Sequence, residues 1–196
     1  MTETPTSPFD ENGYLAPAGP HYDTLCHVRI TLVEGIIPYR LRAQLFRSMV
    51  QTIYHFIDLL GTDCIKVWIG GHFVSNIPEP TDTDICILVA PEILDHLDKY
   101  SRKVVAAFIH PDLDRHHLAK RIYNRWHCSV HILLDEEDTR NPSYPLYQQA
   151  KDMMEKLYTR DEAGRPMGYY VCSADRKKSN DQRKAGRNKS LRPSHS

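Results

Sequence analysis

The chain has 196 residues, with 25 basic and 25 acidic side chains and a formal net charge of zero. That length fits one domain with tails and is enough to bury a core without disulfide or metal staples. An apolar share of 41% and an aromatic share of 9% suit a soluble chain, and no apolar run approaches the roughly 18 residues that would span a bilayer.

Residues 1–20 carry Pro5, Pro8, Pro17 and Pro20 with few aliphatics and read as an extended or disordered arm. The acidic, Pro-rich start lacks the basic-then-apolar layout of a secretory leader. Asp23-Thr24 can cap a short helix over about 24–33. A longer helix is expected from Tyr39 to Leu60, where Leu41, Leu45, Met49, Ile53, Phe56, Ile57 and Leu60 recur at steps of three and four. Gly61 ends it. Cys64–Ile69 reads as a buried strand, followed by a loop with Pro78 and Pro80 near its end. Asp84–Val89 is a second apolar strand. Pro91 suits the first helical residue of a segment running to about Tyr100 and on through Val104–Ile109. Pro111 starts a further helix to about Trp126. Cys128–Leu134 is the third strand, Tyr144–Tyr158 a helix, Asp161–Gly164 a turn, and Met167–Cys172 the last strand. The alternation predicts an α/β (α+β) fold: a small mixed sheet with helices packed on it over residues 21–172.

Residues 173–196 form a basic tail expected to be disordered. Eight basic against two acidic side chains give it a charge of +6, whereas 17 against 23 leave residues 1–172 at −6. The neutral total is a cancellation. Such a tail either contacts polyanions such as RNA or acts only as a solubilising segment. The five cysteines are odd in number and contain no CxxC pair. Cys64, Cys86, Cys128 and Cys172 fall in or beside strands, where a free thiol behaves as a small apolar group. A reducing cytoplasm is the compartment this implies.

The stretch from Trp68 to Leu88 carries the chemistry. A strand ends in Gly70-Gly71-His72, a loop follows, and Asp82-Thr83-Asp84 opens the next strand. In extended chain Asp82 and Asp84 point to one face. Two adjacent carboxylates repel each other unless neutralised, and a divalent cation with oxygen ligands does this. The glycines allow backbone to approach a phosphate, and their N–H groups can cradle the anion. Glycine turn and paired acids together suit phosphoryl transfer, in which positioning and charge neutralisation carry most of the catalysis. Taken apart, each half also has a bland structural reading, as a plain turn between strands and as a capped strand start.

This stretch resembles the signature of the nucleotidyltransferase fold of the DNA polymerase β superfamily. That signature is an apolar residue, Gly, then Gly or Ser, a gap, and Asp-apolar-Asp-apolar. Gly71-His72 takes the glycine–serine place, with Asp82-Thr83-Asp84-Ile85 nine residues on. The likeness extends to Gly13-Tyr-Leu-Ala-Pro17, Phe73-Val-Ser-Asn-Ile-Pro-Glu-Pro80 and Gly164–Val171, segments similar to a bacterial and phage subgroup of nucleotidyltransferase-like proteins. The resemblance covers about 13–172. It implies a transferase moving a nucleoside monophosphate from a nucleoside triphosphate such as ATP to a hydroxyl of RNA, a protein or a small molecule. Asp82 and Asp84 would bind magnesium or manganese, and Gly70, Gly71 and His72 would bind the nucleotide.

Three positions depart from the pattern. His72 stands where a serine is usual, and Thr83 where an apolar residue is usual. The third carboxylate of the fold falls at Ser129, with His131 two residues on along the same face and Asp135 at the strand end. Either His131 stands in as a catalytic group, or the chain is a degenerate member that binds a nucleotide, nucleic acid or protein without turnover. Arg115, Lys120, Arg121 and Arg125 precede the third strand. They could line a polyphosphate or an acceptor nucleic acid, or form a solvated helix face.

Overall fold

The computed structural model describes residues 7–37, 39–109, 117–136 and 139–175. It contains a mixed sheet with helices on both faces, as the alternation of elements predicts. Strand β1 (Gly19–Asp23) leads into helix α1 (Leu25–Arg29), whose first turn is capped by Thr24 Oγ1 accepting from the His27 N–H at 3.2 Å. The helix widens into a π-helical turn (Ile30–Glu34), and α2 (Tyr39–Leu60) follows. Then come β2 (Cys64–Gly70), a 3₁₀ turn (His72–Val74) and β3 (Thr83–Val89). Helices α3 (Pro91–His96), α4 (Lys99–Ile109) and α5 (His117–Trp126) make the crossover to β4 (Cys128–Leu134). Helix α6 (Tyr144–Thr159) and β5 (Gly168–Asp175) complete the domain.

The five strands lie in the order β1-β5-β2-β3-β4. β2 is antiparallel to both β5 and β3, while β3–β4 and β1–β5 are parallel pairs. A parallel pair needs a long crossover, which α3, α4 and α5 supply for β3–β4. Alternate side chains along each strand face opposite layers. Val67, Ile69, Ile85, Ile87, Val130 and Ile132 enter the larger core, with Met49, Ile53 and Phe56 of α2, Phe108 of α4 and Ile122 of α5. Trp68, Cys86, Leu88, Leu133, Tyr169 and Val171 face the other way and are covered by Tyr158, Met154 and Ala150 of α6. Asp84, Ser129 and His131 alternate onto this second face.

Several expectations need correction. The arm expected through residue 20 includes ordered backbone: Leu15 is buried, Phe9 bridges Leu15, Tyr14 bridges Ser75, and Gly19 opens β1. The last strand runs on to Asp175, so the first residues of the expected tail belong to the sheet. The single helix expected from Pro91 breaks at Leu97. Asp98 then caps α4, its carboxylate accepting from the N–H groups of Tyr100 (2.7 Å) and Ser101 (3.0 Å). Cys64 is exposed. Cys86, Cys128 and Cys172 are buried, and burial pushes each thiol up to about 12, which leaves them unreactive at neutral pH. On α6, Met153 and Leu157 are exposed, while Met154 packs on the second core. Residues 1–6 and 176–196, and the expected helix start at Pro111 with Arg115, lie outside the described residues. No helix among the described residues is long and apolar enough to cross a membrane.

Candidate nucleotide and metal site

β2 brings Gly70 directly opposite Asp84 of β3 in the antiparallel register. Two close approaches exclude side chains from the glycine turn. A Cβ on Gly70 would stand 2.5 Å from Cδ1 of Tyr158, and one on Gly71 would stand 1.8 Å from Oδ2 of Asp84. Gly71 also has φ 71° and ψ −165°, a conformation essentially restricted to glycine. The following 3₁₀ turn is tied inward, with the Ser75 N–H (3.2 Å) and Oγ (2.7 Å) both donating to the His72 carbonyl. This leaves the His72 ring exposed and close enough to Asp84 for its charge to favour the ionised carboxylate.

Asp82 precedes β3 and is partly exposed. Its carboxylate accepts from Tyr123 Oη at 3.1 Å and from Thr81 Oγ1 at 3.2 Å. The start of β3 is held in place by the Thr83 N–H, which donates to the His127 carbonyl at 3.0 Å. His127 has φ 49° and turns the chain straight from α5 into β4. Burial, and then the charge of Asp82, push the Asp84 carboxyl up to about 6, against the opposing hydrogen bond from Ser129 and charge of His72.

The parallel register sets Ser129 beside Asp84 and His131 beside Cys86. His131 therefore lies one pleat repeat further along the strand, roughly 7 Å at the usual rise. Burial lowers its pKa, so it is held as a neutral imidazole at pH 7. Asp135 is at the far end of β4, where it accepts from Lys151 at 2.5 Å and lies 3.8 Å from Lys66. The structure thus gathers Gly70, Gly71, His72, Asp82 and Asp84, and leaves His131 and Asp135 apart from them. Among the described residues, no three His, Cys, Asp or Glu side chains form a metal-binding group. Asp82 and Asp84 are the residues that would hold a divalent ion. Asp82 and Asp84 lie close enough for one charge to raise the other's pKa, and neither has a Lys or Arg ion-pair partner among the described residues. Magnesium commonly takes one or two carboxylates and completes its shell with water and phosphate oxygens.

Besides Tyr123, two further supporting residues come from outside the motif. Tyr158 is fully buried under the turn, edge-on to Trp68 and Tyr169 at centroid distances of 5.9 and 5.8 Å. Arg42 is buried completely. Its Nη1 donates to the carbonyls of Leu32 (3.2 Å) and Phe73 (2.8 Å), and its Nη2 to those of Ser75 (2.6 Å) and Ile77 (2.5 Å). It thereby fastens the loop after the glycines to α2. Burial pushes the guanidinium down to about 10, so it remains a cation at neutral pH. Arg42 lies in step with Leu45, Met49, Ile53 and Phe56, whereas Leu41 is exposed. Beginning the three-and-four spacing one residue later would have revealed an arginine on the buried stripe.

With the site's geometry in place, comparison with known proteins adds family membership. The chain belongs to a family of unknown function (DUF6932), which it matches over residues 7–171. Comparison with curated proteins and with solved structures found no match.

Proposed function

We propose that this protein is a metal-dependent nucleotidyltransferase, moving a nucleoside monophosphate from a nucleoside triphosphate to a hydroxyl acceptor. The observation that carries the reading is the placement of the Asp84 carboxylate directly over the bare backbone of Gly71, with Asp82 alongside. Gly70 and Gly71 present no side chain there, and a cation held by the two carboxylates would offset their repulsion of polyphosphate oxygens. Asp82 and Asp84 would hold a magnesium or manganese ion, which supplies charge neutralisation at the transferring phosphate when bound. Gly70 and Gly71 give the phosphates access to the backbone, and His72 offers a donor or a positive charge toward them. In the reaction the acceptor hydroxyl releases its proton to solvent as its oxygen bonds to the α-phosphorus, the bond from the α-phosphorus to the bridging β-phosphate oxygen breaks, and pyrophosphate leaves. Tyr123 orients Asp82 through its hydroxyl.

A second reading, binding without turnover, is favoured by one observation: Ser129 rather than an acid stands beside Asp84. One experiment separates the two. The protein is incubated with ATP labelled at the α-phosphate, magnesium or manganese, and a total RNA and protein extract. Label transfer that falls to background in the Asp82→Asn, Asp84→Asn double variant supports transferase activity. Equal transfer by variant and parent overturns it. Absence of transfer by the parent, with a rise in melting temperature on adding metal and ATP, assigns the binding role.

A further inference from the structure

We infer that the exposed face of α5 is a docking surface for the phosphodiester backbone of single-stranded RNA, the acceptor in the transfer proposed above. The inference rests on that reading for the acceptor's role, but not for the binding itself. Helix α5 is ten residues long and contains Lys120, Arg121 and Arg125 but no acidic residue. Residues 1–172 hold 17 basic against 23 acidic side chains, so this helix is a positive island on a negative body. All three cations are exposed, and none makes an ion pair among the described residues. Helix α4 also carries three exposed cations, Lys99, Arg102 and Lys103, and no acid, but it is α5 whose Tyr123 reaches Asp82.

Its position links the charge to the site. Ala119 and Ile122 are buried, which fixes the rotation of the helix. Tyr123 lies at the flank nearest the acids, because its hydroxyl reaches Asp82 at 3.1 Å. At 3.6 residues per turn, Lys120 follows Tyr123 across the exposed face, then Asn124, Arg121 and Arg125. The positive band therefore starts about 60° round the helix from Tyr123 and wraps across the exposed face to Arg125, whose guanidinium lies 4.8 Å over the Trp126 ring. A strand lying along it would set its terminal hydroxyl toward the carboxylates, with the backbone charge neutralised on the helix. The site end also offers ring faces. Tyr123 is exposed and edge-on to His127, and bases stack on such groups without regard to sequence.

The test is fluorescence anisotropy of a labelled single-stranded RNA of about 20 nucleotides against the full-length protein, over a range of salt. The Lys120→Glu, Arg121→Glu, Arg125→Glu variant is expected to bind at least tenfold more weakly. Its log–log salt slope should be shallower by about 2, since each phosphate neutralised on a single strand accounts for roughly 0.7 of the slope. The same three positions changed to Gln provide a milder variant if charge reversal impairs folding, with the same direction expected. Unaltered affinity and slope in a folded variant overturn the inference. So does a loss confined to metal–ATP binding, which would assign the band to the triphosphate. If RNA binding depends on α5 while the Asp82→Asn, Asp84→Asn protein labels as well as the parent, the surface stands and the transferase reading falls.

Discussion

Asp84 is where folding and chemistry conflict at the scale of one residue. Its carboxyl titrates at about 6, against an ordinary value of 3.8. The folded state therefore binds more protons than the unfolded chain between those two values. The contribution of this group to stability is fully present below pH 4 and is lost as pH rises through 6. At 1.36 kcal/mol per unit, the ionised side chain costs on the order of 2–3 kcal/mol above pH 7. Asp84→Asn removes the charge and keeps the shape. It should raise the melting temperature by about 5–10 °C at pH 8, given 2–4 °C per kcal/mol for a chain of this size. At pH 4 the gain should nearly vanish. Equal shifts at both pH values would show that charge is not the cause. Such a cost is expected of a residue held for ligand binding rather than for stability. The glycine turn and the acid pair are legible in the sequence because all of them lie within one strand–loop–strand unit. Tyr123, Tyr158 and Arg42 are not legible in that role, because each reaches the site from a helix distant in sequence.

Among the elements, those driven by burial are read most easily. Helix α2 and the strands β2, β3 and β4 have apolar spacing that solvent exclusion dictates. Strand β1 gives no such signal, because Gly-Pro-His-Tyr-Asp has no apolar alternation. It lies at the sheet edge, where proline and polar residues are tolerated, and its pairing with β5 defines it. The loop between β2 and β3 depends on a partner of another kind. Four carbonyls from Leu32 to Ile77 converge on Arg42, and only a planar fork with several donors can serve them together. Arg42→Lys keeps the charge and loses that geometry, leaving buried carbonyls without donors. The expected destabilisation is about 2–4 kcal/mol. Amide exchange should accelerate in residues 72–77 well beyond the change in α4 or β4. Uniform acceleration throughout the domain would mean that Arg42 supports the core in general and not this loop.

At the scale of the whole molecule, the zero net charge is a segregation of charge with a direction. β5 pairs its last residue, Asp175, with Cys64, at the end of β2 away from Gly70. At 3.3 Å per residue, Asp175 lies roughly 20 Å along the sheet from the glycine turn. The α5 cations, by contrast, lie on the helix whose Tyr123 reaches Asp82. On the proposed RNA contact, the basic tail would raise the local concentration of the polyanion and α5 would position it. Electrostatic capture of this kind acts mainly on encounter and falls steeply with salt. Changing the eight basic residues between Arg176 and Arg192 to Gln, in the full-length chain, should therefore weaken RNA binding at low salt. It should also flatten the salt dependence while leaving label transfer at saturating acceptor unchanged. Combined with the α5 substitutions, the loss of RNA affinity should exceed that of either set alone. RNA affinity indifferent to the tail's charge would reduce residues 176–196 to a solubilising segment, and α5 alone would then carry the contact with nucleic acid.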